Sequence, residues 1–160
     1  MPTQPGATEH ARLRCETIAR IQGSPLVLRA LMDVYAAVDA EVASRGAACE
    51  GDGRCCRFDL VGHRLYVSPV ELALLTLEEP PAPQQATRLR CPYQVGAACT
   101  ARRRRPLGCR TYFCCEDSTW SNELYEGYHA RIRQIHDRAE LDYWYSELTA
   151  SVAGLFSREG

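Results

Sequence analysis

Lysine is absent from this chain: all 19 basic residues are arginine. Without lysine there is no Schiff-base amine and no lysine-bearing phosphate loop. Genomic coding bias accounts for the absence more readily than function does. No apolar run reaches membrane-spanning length. The opening MPTQPGATEHARLRCE lacks the apolar core of a secretory signal. These two absences lead us to expect a cytoplasmic protein with no membrane partner. The formal net charge is only -1, so bulk charge offers nucleic acid no strong attraction. No internal repeat or coiled-coil heptad stands out. At 160 residues the chain is expected to be one domain, 1–160, long enough to bury a core.

Cysteine, by contrast, is abundant, with nine residues. In a reducing compartment, clustered cysteines point to metal ligands or redox groups before disulfides. The odd count and the adjacent pairs Cys55-Cys56 and Cys114-Cys115 also fit poorly with a disulfide framework. Eight of the nine lie within the 67 residues from Cys49 to Cys115: Cys49, Cys55, Cys56, Cys91, Cys99, Cys109, Cys114 and Cys115. Thiolate sulfur is a soft donor that selects zinc, copper(I) or iron-sulfur clusters. The spacings match neither a zinc ribbon nor a ferredoxin run. The count therefore speaks for metal, while the spacing does not say which metal. A set of merely buried thiols is the alternative.

The flanks of this region are expected to be helical, over about 7–46 and 118–156. Leu13, Ile18 and Ile21 mark a first helix that Gly23 breaks. Ser24-Pro25 then has the form of an N-cap and first helical residue. Leu28, Leu31, Tyr35, Val38 and Val42 form one buried face, and Gly46 stops that helix. Cys15, inside the first helix, is expected to be a small core residue rather than a ligand. SPVELALLTLEE carries a capping box, Ser68 with Glu71, and should end before Pro80-Pro81. RFDLVGHRLYVS suggests a short β-hairpin around Gly62-His63. Leu124, Tyr128, Ile132 and Ile135 share a face of a late helix, which should break near Arg138 to Leu141. Tyr145, Leu148, Val152 and Leu155 line the last one. The expected fold is mainly α: helices flanking an irregular cysteine-rich metal-binding centre over 49–115, with one short β-hairpin.

Charge around the cysteines is one-sided. Residues 88–113 hold seven arginines and no Asp or Glu. A site of four thiolates around zinc(II) or an oxidised cubane cluster carries a net charge near -2, which nearby guanidinium groups offset while lowering thiol pKa. Arg105 and Arg110 flank Pro106 and Cys109 and are the candidates for cofactor binding. Arg102 and Arg103 fit a solvated basic loop better.

Four pieces in order, CxxDxxCC from Cys49 to Cys56, Cys91-Pro92, a lone Cys99, and RPLGCRTYFC from Arg105 to Cys114, resemble the YkgJ-type CxxCxxCC cysteine cluster family, described as zinc- or iron-chelating domains. The resemblance covers about residues 49–115. It implies metal ligands at Cys49, Cys55, Cys56, Cys91, Cys99 and Cys109, with Cys114 and Cys115 just beyond. The family includes flagellin lysine N-methylases, in which an iron-sulfur centre is implied. The resemblance points to metal more firmly than to a reaction.

The family's second cysteine falls on Asp52. Either Asp52 is an oxygen ligand, or Cys114 or Cys115 substitutes, or Asp52 only shapes the turn in EGDG, a role Asp-Gly fills readily. His129 and His136, seven apart, share a helix face and could reach a metal or carry protons. His63 is expected at a solvent-facing hairpin tip, and His10 in the first helix. No single Cys is set apart beside a His, which argues against a nucleophilic cysteine enzyme. The leading expectation is a metal-binding protein holding an iron-sulfur cluster, with zinc as the alternative cofactor and electron transfer as one use. A metalloenzyme acting on a small molecule or peptide and a zinc-stabilised interaction domain are the competing functions. The protein or small-molecule partner is not legible.

Overall fold

The capping box over Ser68 and Glu71 is where sequence and tertiary structure meet. In the computed structural model, whose described residues are 6–46, 53, 56–57, 64–81, 90–112 and 118–156, Ser68 precedes a helix at Pro69–Leu75 and the box is formed. The Ser68 amide and hydroxyl donate to Glu71 Oε2 at 2.9 and 2.8 Å. This short helix is buried along its whole length, so it is the central post of the fold.

Six helices make up 63% of the described residues. They are α1 Ala7–Gln22, α2 Pro25–Ser44, α3 Pro69–Leu75, α4 Leu107–Thr111, α5 Ser118–Arg138 and α6 Leu148–Phe156. The expected mainly helical fold is therefore found. Helix α1 packs on α3, α2 touches α1, α3, α4 and α5, and α6 packs on α3. Pro25 opens α2, and Gly46 follows its end with φ 74°. Leu31, Tyr35 and Val38 are buried together as the spacing predicts. Leu124 and Ile132 are buried on α5, and Leu148 and Val152 on α6. Helix α3 stops at Leu75, earlier than Pro80-Pro81 required. Leu13 is largely exposed, and so is Cys15, contrary to the core role expected for it.

Among the described residues, two short antiparallel pairs accompany the helices. β1, Tyr66–Val67, pairs with β4, Ser146–Glu147, in the register Tyr66↔Glu147. β2, Gln94–Val95, pairs with β3, Ala98–Cys99, in the register Gln94↔Cys99. The hairpin expected around Gly62-His63 lies outside the described residues. Tyr66 and Val67 have a partner about 80 positions away, which no local pattern announces. Leu65 continues that link, its carbonyl accepting from the Leu148 amide at 2.8 Å. Its side chain fills the space where a Cβ on Gly108 would stand.

Glu71 does more than cap. Its Oε1 accepts from the Leu107 amide at 2.9 Å, one of the N–H groups that a helix start leaves without an internal partner. The Tyr35 hydroxyl approaches the same oxygen at 3.5 Å. Burial, then the Glu71 charge, holds the Tyr35 phenol well above its ordinary pKa. One carboxylate thus joins α3 to α4 beneath α2. Glu71→Ala is expected to cost about 3 kcal/mol by leaving buried donors unmatched, and Glu71→Gln about half as much. Urea unfolding measures both, and an unchanged midpoint in Glu71→Ala would show that this junction is not structural.

Candidate metal centre

The segment before the β2–β3 hairpin docks on it through backbone groups. The Cys91 amide donates to the Cys56 carbonyl at 2.8 Å, and the Cys56 amide to Gly53 O at 3.2 Å. Buried Gln94 donates its Nε2 to Gly53 O at 2.8 Å and accepts from Arg90 Nε at 2.8 Å. Gly53 itself has φ 75°, and a Cβ there would lie 2.6 Å from Gln94 Nε2 and 2.8 Å from Ala97 O. Both backbone conformation and space therefore require glycine. This explains one of the glycines beside Asp52 without involving metal.

The result is a cavity of about 260 Å³ whose wall includes Cys56, Cys91, Cys99 and Cys109. They come from four places: the Gly53–Cys56 turn, the start of the hairpin segment, β3 and α4. Arg102 and Arg105 stand among them, with Leu75, Tyr93 and Leu148 supplying apolar wall. Cys49, Asp52, Cys55, Cys114 and Cys115 lie outside the described residues. Among the described residues, no three Cys, His, Asp or Glu side chains are gathered as a single-ion group.

Hydrogen bonding and charge around Cys99 favour thiolate. The Cys99 pKa is pushed down to about 6, first by a hydrogen bond with Cys56, then by a backbone hydrogen bond at Ala101 and the charges of Arg105 and Arg102, against the opposing effect of burial. Arg105 Nε is buried and, among the described residues, lacks a hydrogen-bond partner. A cation with an unmatched N–H in a thiol-lined cavity fits an anionic occupant.

Arg110 lies elsewhere. Its guanidinium meets Asp39 at 2.5 Å, donates to the carbonyls of Arg105 at 2.9 Å and Arg103 at 2.8 Å, and lies 4.0 Å over the Tyr35 ring. It is absent from the cysteine cavity's wall and acts by bracing the loop that carries Arg105. The capping-box pattern announced Glu71, but its bond to Leu107 and the Gly53–Gln94 link had no local signal.

Helix α5 carries His129 and His136. His129 and His136 do share a face of α5, and both pack edge-on against Tyr143. His129 contacts the Tyr143 hydroxyl at 2.7 Å and the Tyr125 hydroxyl at 3.4 Å. His136 is buried, with Nδ1 3.1 Å from Asp142 O. Neither lines the cysteine cavity. Cys15 borders a different one, of about 460 Å³, between α1 and α6. Comparison with family models, with curated proteins and with solved structures returned no match.

Gly53→Ala should destabilise the protein by about 1–3 kcal/mol and speed hydrogen exchange at the Cys91 amide. Unchanged exchange there would mean that the turn does not hold the hairpin segment. For His136, burial lowers the folded pKa, while the unfolded chain titrates near 6.5. Below that pH the unfolded state takes up a proton that the folded state resists. Stability should therefore fall from about pH 7 to pH 5, by up to about 1.4 kcal/mol per unit. His136→Gln should remove that part of the slope, and an identical slope in both proteins would refute the assignment.

Proposed function

We propose that the protein binds an iron-sulfur cluster through its cysteines and serves as a metal-binding, electron-transfer module. The observation that carries this reading is the convergence of Cys56, Cys91, Cys99 and Cys109 on one cavity beside Arg102 and Arg105. The donors are soft. The cavity volume is several times the ~30 Å³ share of one water molecule, more room than a single four-coordinate ion needs. Resemblance to the YkgJ-type family points the same way.

When bound, such a cluster supplies reversible one-electron chemistry. The chain's own residues do the rest. Cys56, Cys91, Cys99 and Cys109 are the proposed thiolate ligands within the described part, and Cys49, Cys55, Cys114, Cys115 and Asp52 are candidates to complete or extend the set. Arg105 offsets the anionic charge and offers its buried N–H. Leu75, Tyr93 and Leu148 keep water from the inner wall, strengthening that electrostatic contact. Asp52 stands where the family resemblance expects a thiol. A carboxylate is a poorer partner for a soft metal, so Asp52 makes one position exchangeable if it is a ligand.

Anaerobically purified protein should be brown, absorb broadly near ~400 nm as such clusters do, and contain iron and acid-labile sulfide. Serine at Cys56, Cys91 or Cys109 should reduce iron content several-fold, whereas Cys15→Ser should not. Asp52→Cys should hold the metal more tightly, and Asp52→Ala should change its spectrum. Colourless protein with stoichiometric zinc and no sulfide would overturn the cluster in favour of a zinc-stabilised domain. Wild-type spectra and metal content in both Asp52 variants would remove Asp52 from the ligand set.

A further inference from the structure

The 102–105 loop also borders a second, open cavity of about 510 Å³, lined by Met32, Tyr35, Ala36 and Asp39 of α2 and by Arg102, Arg103, Arg105 and Arg110. The acid in it is already matched. Asp39 pairs with Arg110 at 2.5 Å, and the Arg110 side chain is only 4% exposed. Arg104 pairs with Glu78 at 3.0 Å. Arg102, Arg103 and Arg105 remain. Among the described residues none of the three has a carboxylate within ion-pair reach, and Arg105 Nε is buried without a hydrogen-bond partner. Arg110 also fixes their backbone by donating to the carbonyls of Arg103 and Arg105.

We propose that this cavity binds a small polyanion, a ligand whose phosphate or carboxylate oxygens lie close together. Guanidinium groups bind such oxyanions through paired hydrogen bonds, and three of them around one concave surface favour a compact ligand of multiple charge. Because the loop is braced before the ligand arrives, less ordering is required on binding. Arg102 and Arg105 belong to the walls of both cavities, so the anion lies beside the thiol-lined cavity. The anion site itself needs no metal, and its test is separate from that of the cluster.

The test is calorimetric titration of the full chain with pyrophosphate and, separately, citrate, at low ionic strength, with metal content measured on the same sample. Saturable binding of one anion per chain is expected, and the tighter of the two ligands identifies phosphate or carboxylate as the preferred source. Arg102→Ala and Arg103→Ala, both exposed and expected to fold normally, should each weaken binding roughly tenfold. Arg12→Ala, on α1, should not. In the wild-type protein, pyrophosphate or citrate should slow phenylglyoxal modification of Arg102 and Arg103 but not of Arg12. Binding that does not saturate, affinities unchanged in both arginine variants, or modification equally fast with ligand present would overturn the proposal. So would a single-stranded RNA oligonucleotide that binds at the same arginines far more tightly than either small anion, because the surface would then serve nucleic acid.

Discussion

A buried carboxylate organises this protein. Glu71 closes the start of α3 and the start of α4 at once, with Ser68 and Leu107 as donors. A buried charge is tolerated only where hydrogen bonds replace water, so the arrangement has little freedom to drift. It fixes the RPLGC segment against α3, and with it the positions of Arg105 and Cys109. Tyr35 and Arg110 extend the network to α2 and Asp39. The helices thus act as a frame, and their polar junctions aim the loop residues.

The cysteine cavity is assembled differently. Its thiols come from short segments joined by backbone hydrogen bonds at Cys56 and Cys91 and by the Gly53–Gln94 contact. Such connections bring donors close while leaving a space between them. Apolar residues of α3 and α6, Leu75 and Leu148, form part of its wall. Arginine makes the environment one that stabilises thiolate, and the depressed Cys99 pKa follows from the neighbouring Cys56 hydrogen bond and from that charge. The proposed cluster uses this combination of soft donors and unmatched cations.

The four consecutive arginines divide into roles that their spelling alone does not separate. Arg104 pairs with Glu78 and reaches toward Leu75 O at 3.4 Å. Arg105 lines both cavities and has a buried N–H, while Arg102 and Arg103 are exposed. Arg110, five residues past Arg105, is consumed by structure: its contacts hold the loop rather than entering the thiol-lined space. A run of like charge is ordinarily solvated. Here the turn of the chain gives successive residues different surroundings.

The sequence by itself determined the helical frame. The apolar spacing of Leu31, Tyr35 and Val38, the Ser24-Pro25 start, the Ser68–Glu71 box and the break after Arg138 are local signals, because helix periodicity and capping act within a few residues. The soft-donor chemistry was legible from composition, as was the excess of arginine around it. The tertiary structure decided which described cysteines meet, that Cys15 is exposed, that Tyr66–Val67 pairs with Ser146–Glu147, and that Arg105 rather than Arg110 lines the thiol cavity. Each of these depends on contacts between segments tens of residues apart, or on the direction in which a turn sends a side chain. Such contacts arise from packing and from the need to satisfy buried polar groups, and they leave no periodic trace in the chain.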